Sequence, residues 1–214
     1  MAKRPVYYVE NDRVKKKDIE FTWIAGLNIT KKRENIKSLH TAVTSKTGMR
    51  VLEISSKSED PLGVRMSAFN LRYAEGITLE SYYQASKIFS KGGPFRELAY
   101  LPSREAKKDE RLKNSGEIKG FRDILSDKEW TLNEPYYDYI YLVACAYTLT
   151  KEDIDRLNEF DAFTDIEFNP KKAKNTQARA AAVLKLFCAQ FGYEKLQELN
   201  KEEFVRFYNM YVSI

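Results

Sequence analysis

The chain has 214 residues, 43% of them hydrophobic and 31% charged, which is long enough to bury a core and excludes a disordered chain. Its net charge of +5, from 36 basic and 31 acidic residues, is weaker than that of most dedicated DNA-binding domains. No apolar run reaches bilayer length and Met1 to Pro5 lack the apolar segment of a signal peptide, so a cytoplasmic protein with no membrane partner is expected.

Taken in order, Val6 to Val9 read as a short strand closed by the turn formers Asn11 and Asp12. Ile19, Phe21 and Trp23 alternate with polar neighbours and mark a second strand with one buried face. Thr30 is placed to cap a helix from Lys31 to about Thr44, in which Ile36, Leu39 and Val43 form an apolar stripe and Gly48 is the stop. Arg50 to Ser55 predict a third strand, Ser55 to Gly63 a polar loop, and Val64 to Leu71 an extended segment.

Thr78 is the expected N-cap of a helix running through Leu79 to Phe89. Glu80, Tyr83, Gln84 and Lys87 would then share one face, with Tyr82, Ala85 and Phe89 on the other. A face carrying an acid, an amide and an amine is either solvated surface or the wall of a site. Ser103 is placed to cap a helix from Arg104 to Lys113, with Arg104, Lys107, Lys108 and Arg111 in a basic stripe. That stripe reads as a salt-bridged solvent face or as a pyrophosphate clamp.

Phe121 to Ser126 and Trp130 belong to a connecting region, and Tyr136 to Leu149 form a helix apolar nearly all round. Thr150 opens the next helix, Phe163 to Pro170 form a loop with two acids between large aromatics, and Thr176 to Gln190 and Glu202 to Val212 are the closing helices. The pattern predicts one α+β domain over residues 1–214, mainly helical, with a few short strands near the N-terminus. Cys145 and Cys188 sit in apolar helical contexts and read as free, buried thiols of a reducing compartment.

Basic residues cluster at Lys15-Lys16-Lys17, at Lys31-Lys32-Arg33, and at Lys171-Lys172 with Lys174; each cluster suits phosphate contact or plain solubility. The one histidine, His40, has no motif around it and reads as a core or surface residue. There is no glycine-rich nucleotide fingerprint and no phosphate-binding loop, and the two cysteines are too far apart for a zinc site. What remains is carboxylate and lysine chemistry. It suits glycosidic cleavage, in which an oxocarbenium-like sugar is stabilised and a leaving group protonated, or in which a desolvated lysine attacks an opened sugar aldehyde.

Three segments resemble the NADAR family, whose members are N-glycosidases acting on ADP-ribose or ribosyl-aminopyrimidine compounds. They are Ser55 to Ser58 with Gly63 and Met66-Ser67-Ala68-Phe69, then Leu79 to Phe89, then Ser103 to Arg111. Asn175 to Arg179 are a weaker fourth match. The flanks at Phe21 to Leu27, Ser38 to His40 and Phe163 to Pro170 resemble the branch that serves as antitoxin to a DarT-type DNA ADP-ribosyltransferase. Four positions depart from the family pattern: Ala68 for Asn, Ser81 for His, Tyr83 before the glutamine, and Glu110 for Gly.

The resemblance implies removal of ADP-ribose from guanine in DNA, with modified DNA and a cognate DarT-type toxin as partners and with no metal or cofactor. It assigns Glu80 as acid/base, Lys57 as the first candidate for a Schiff-base nucleophile and Lys87 as the second. Arg104, Lys107 and Arg111 would hold the pyrophosphate, Asp165 or Glu167 the ribose hydroxyls, and Tyr82, Tyr83 or Trp130 would stack on a base. Ser67, Phe69, Asn70 and Gln84 complete the expected binding residues. Two other readings stay open: a glycosidase acting on a free ribosyl nucleotide, and a non-catalytic module that binds ADP-ribose or DNA.

Overall fold

The computed structural model describes residues 1–26, 28–169 and 175–212, so Leu27, Pro170 and the basic cluster Lys171, Lys172 and Lys174 lie outside the described residues. In chain order the elements are β1 (Ala2–Glu10), β2 (Arg13–Phe21), α1 (Ile29–Thr47), β3 (Val51–Glu53), α2 (Pro61–Arg65), α3 (Leu79–Ala85), β4 (Lys87–Phe89), α4 (Ser103–Lys108), α5 (Arg111–Asn114), β5 (Ile118–Arg122), β6 (Glu129–Thr131), α6 (Tyr136–Thr148), α7 (Lys151–Leu157), β7 (Ala162–Thr164), α8 (Gln177–Phe191) and α9 (Lys201–Tyr211). They pack as two compact units, Met1–Ser67 with Leu149–Ile214, and Ala68–Thr148. Among the described residues no helix is long and apolar enough to cross a membrane.

The first unit is built on a sheet of order β2-β1-β7-β3. Strands β1 and β2 form a hairpin, and its turn residues Asn11 and Asp12 have φ of 51° and 53°. Asn and Asp reach this left-handed region with little strain, and it gives the turn a twist that matches the strands. Strand β7 joins antiparallel to β1 and parallel to β3. Val6, Ile19 and Phe21 face the α1 stripe of Ile36, Leu39 and Val43. Burying each such side chain contributes about 1.5–3 kcal/mol, more than any cap on the helix. By alternation Tyr7 and Val14 point to the other face, and α8 packs against β1, β2 and β7.

The second unit combines α3, α4, α5 and α6 with an antiparallel sheet of order β4-β5-β6. Its core is aromatic. Tyr73 stacks on Tyr82 with ring centroids 4.0 Å apart, and Phe121 stacks on Tyr136 at 5.0 Å.

Four expectations are corrected. The α1 helix starts earlier, because Asn28 is its N-cap and accepts from the Lys31 amide at 2.8 Å, in place of Thr30. The segment expected to be extended from Val64 begins inside α2, where Asp60 caps and Pro61 occupies the first turn; five residues are too few to show a period. The helix expected to run to Phe89 stops at Ala85, and the chain enters β4. The connecting region and the acidic loop contain β5, β6 and β7, so the fold is mixed α/β with two sheets. Strand β5 has five residues and β6 and β7 three each, too few to show a period.

Close approach requires a glycine at position 63. A Cβ on Gly63 would stand 2.0 Å from the Glu53 carbonyl oxygen. Gly63→Ala is therefore expected to lower unfolding stability by about 1–3 kcal/mol, read as a lower urea midpoint at unchanged slope.

Candidate functional site

In the second unit Glu80 stands in the first turn of α3, after Thr78, whose hydroxyl accepts from the Ser81 amide at 3.2 Å. The turn that follows Ser67 lies against this helix start: the Ala68 carbonyl accepts from the Glu80 amide at 3.0 Å and the Leu71 carbonyl from the Leu79 amide at 3.0 Å. Ser81 is fully buried. Its hydroxyl accepts from Thr78 at 2.7 Å and donates to the Leu101 carbonyl at 2.8 Å. Because the Thr78 hydrogen goes to Ser81, the Ser103 hydroxyl must donate to Thr78, 2.7 Å away. This network ties the start of α3 to the start of α4, which carries Lys107.

Four side chains then form one chain of contacts. The Lys87 ammonium donates to Gln84 Oε1 at 2.6 Å, Gln84 Nε2 donates to Glu80 Oε1 at 2.8 Å, and Lys107 Nζ lies 3.2 Å from the same carboxylate oxygen. The Gln84 amide can face only one way, its oxygen toward the amine and its NH₂ toward the acid. Lys87 also lies 4.8 Å over the Tyr83 ring, and Lys107 5.4 Å over the Phe69 ring. Tyr83 is backed by Phe121 at 5.5 Å and Tyr137 at 5.1 Å. Burial pulls Lys87 down to about 8; Glu80 opposes this shift and Lys107 adds to it. A lysine in that range carries a sizeable neutral, nucleophilic fraction near neutral pH.

Lys87 keeps its place on the polar face although it is no longer helical. The Ser86 hydroxyl donates to the Tyr82 carbonyl at 2.8 Å and accepts from Tyr136 at 2.7 Å, while the Ser86 carbonyl accepts from the Arg122 amide. The chain is thereby turned into β4, where Lys87 pairs with Phe121.

Other expected residues stand elsewhere. Arg104 is exposed on α4. The expected helix from Arg104 to Lys113 is broken at Asp109, so the basic stripe is not continuous. Arg111 is held by Asp109 at 2.9 Å and by Glu97, over the Phe95 ring. Trp130 is 2% exposed between Tyr136 and Tyr139, and Tyr82 is fully buried under Tyr73, so neither ring has a face open to a base. Asn70 is half-buried in the turn before α3.

In the first unit Lys57 is half-buried in the loop after β3, where its Nζ lies 3.2 Å from the Ser56 hydroxyl. The Ser67 hydroxyl donates to the Val64 carbonyl at 2.8 Å, behind α2. Glu167 pairs with Lys32 at 3.0 Å. Asp165 is buried and accepts from the Glu167 and Phe168 amides, at 3.1 Å and 3.2 Å, and from Gln177 Nε2 at 3.2 Å. Those bonds make it a clamp between the end of β7 and the start of α8.

Glu53, beside Asp165, was not expected as a site residue. It is 1% exposed and accepts from the Thr164 hydroxyl at 2.7 Å and the Ile166 amide at 2.9 Å. The Thr164 proton is thus committed, so His40 Nε2, 2.9 Å from the same oxygen, carries the hydrogen it shares. An acid inside a three-residue strand between Leu52 and Ile54 was the available signal. Burial and the Asp165 charge push Glu53 up to about 7, and burial lowers His40 to about 4. Among the described residues no group of His, Cys, Asp or Glu could hold a metal ion, and both cysteines are buried without a disulfide.

The sign of the Glu53 effect follows from linkage. Its folded pKa lies above the unfolded value, so its contribution is full at low pH and is lost as pH rises toward about 7. The stability difference between wild type and Glu53→Gln is expected to shift against wild type, on the order of 2 kcal/mol, between about pH 5 and about pH 8. Paired thermal melts of the two proteins across that range check it.

The sequence profile of a family described as the DarT1-associated NADAR antitoxin matches residues 2–213. No curated protein matches the chain.

Proposed function

Because the chain belongs to the DarT1-associated NADAR antitoxin family, we propose that it is an N-glycosidase that removes ADP-ribose from guanine bases of DNA and so reverses the action of a DarT-type toxin. The observation that carries this reading is the Glu80–Gln84–Lys87 chain, in which a buried carboxylate and a lysine lowered to about 8 are held by one amide. Glu80 would stabilise positive charge at the sugar as the bond to the base breaks, and exchange the proton that the leaving guanine requires.

Lys87 replaces Lys57 as the first candidate nucleophile. Attack on an aldehyde needs an unprotonated amine, and desolvation supplies it at Lys87. The neutral amine would add to C1 of the ring-opened ribosyl group and expel the guanine nitrogen, which takes a proton by way of Glu80, leaving an imine between Lys87 and C1; one water would then add to that imine, releasing ADP-ribose and the free amine. Lys107, exposed beside Glu80, is positioned to exchange that carboxylate for a phosphate of the substrate. Tyr83 and Phe69, each under a lysine, remain the rings available to line the ligand.

Incubation with guanine-ADP-ribosylated DNA, following free ADP-ribose, tests the reading. Wild type is expected to release it, and Glu80→Gln and Lys87→Met are each expected to lose about 10²–10⁴-fold in kcat. Undiminished turnover in both variants would remove this site from the chemistry, and none in wild type would leave a binding module.

The pH profile gives a separate check. Activity that needs neutral Lys87 rises as pH passes about 8. Lys107 pushes that pKa down, so Lys107→Met is expected to move the rising limb to higher pH. A limb that stays in place would detach Lys87 from the rate.

A further inference from the structure

The hairpin of β1 and β2 carries lysines that bear on how the protein holds DNA, if DNA is its substrate as proposed above. Of the basic clusters in the sequence, Lys31-Lys32-Arg33 is largely neutralised within the protein. Lys31 pairs with Glu34 at 2.7 Å, and Lys32 with Glu167 at 3.0 Å. Lys15, Lys16 and Lys17 differ: among the described residues none of them has an acid partner, and across the hairpin they face Tyr8, Tyr7 and Val6.

The charge is also sorted between the two faces of the ribbon. Alternation places Lys15 and Lys17 on the side of Arg4, Tyr8 and Glu10, the same side as Ile19 and Phe21. Lys17, Tyr8 and Glu10 line a shallow cleft there with Thr47 and Met49. Lys3 and Lys16 lie on the opposite side with Asp18 and Glu20, where two bases meet two acids. Among the described residues β2 is the sheet edge, and apart from one bridge between Val14 and Val212 it pairs with no strand but β1. Edge lysines commonly block strand pairing, but that role is served from either face and needs no sorting of charge.

We infer that the Lys15–Lys17 side of the hairpin is a docking surface for the phosphate backbone of nucleic acid. Lysines without acid partners release counterions from the polyanion when they engage it, which gives affinity without sequence preference. Contact of this kind holds a duplex without reading its bases, and so would let a glycosidase search it for adducts.

The test is a salt series of fluorescence anisotropy titrations on a short unmodified duplex. It compares wild type with K15Q/K17Q and with K3Q/K16Q, two doubles of equal charge change on opposite faces. K15Q/K17Q is expected to bind more weakly and to lose about 1.8 from the slope of log K against log salt, at about 0.9 per lysine contact. K3Q/K16Q is expected to keep the wild-type slope. Equal weakening in both doubles, or no weakening in either, overturns the surface, as does a wild type that binds no duplex. If K15Q/K17Q binds DNA like wild type but loses association with the toxin, the face belongs to a protein partner and the inference fails. The glycosidase reading is separable: a wild type that binds through this face yet releases no ADP-ribose sinks that reading alone. Release from modified DNA with one KM for all three proteins sinks the surface alone.

Discussion

The candidate site depends on one amide. Gln84 is buried between a cation and an anion, and its two ends satisfy both at once. Without it, Glu80 and Lys87 would each lose a partner in a place with little water, and leaving buried charge unpaired costs several kcal/mol. With it, the acid keeps a hydrogen-bond donor and the lysine stays close without a direct ion pair to that acid. The same burial that threatens the cluster is what lowers Lys87.

The surroundings serve that constraint. The Thr78, Ser81 and Ser103 hydroxyls join the starts of α3 and α4, which sets Lys107 against Glu80. Ser86 ends the helix where Tyr136 and Arg122 seize it, and so presents Lys87 from a strand. A Cβ on Gly93 would stand 2.4 Å from the Lys87 carbonyl, so the strand is gripped from behind as well. In the first unit the logic repeats with acids. Glu53 and Asp165, at the ends of the parallel strands β3 and β7, are buried and repel each other, and each is held by donors from the β7–α8 connection.

Much of this was legible in the chain. Glu80, Tyr83, Gln84 and Lys87 were placed on one face by helical spacing alone, and they do meet, because a helix that ends at Ala85 still carries the next residues along its last turn. Caps at Thr78, Thr150 and Gly48, and the buried α6 and α8, followed from local chemistry. The strands β5, β6 and β7 did not, since three to five residues are too few to show a strand period. Nor did the fate of the basic stripe: Asp109 breaks it and binds Arg111, which spacing on an ideal helix could not reveal.

The sequence by itself determined the composition of the polar face, the family likeness and the three basic clusters, because these are properties of neighbours along the chain. Only the tertiary structure decided which lysine is desolvated, which basic cluster is left without acid partners, and which aromatic rings keep an open face. Each of those depends on burial and on charges brought in from other elements. Lys57 and Lys87 look alike in the sequence; the structure separates them, because only Lys87 combines burial with a positive neighbour in Lys107, and its amine is lowered to about 8 despite the opposing charge of Glu80.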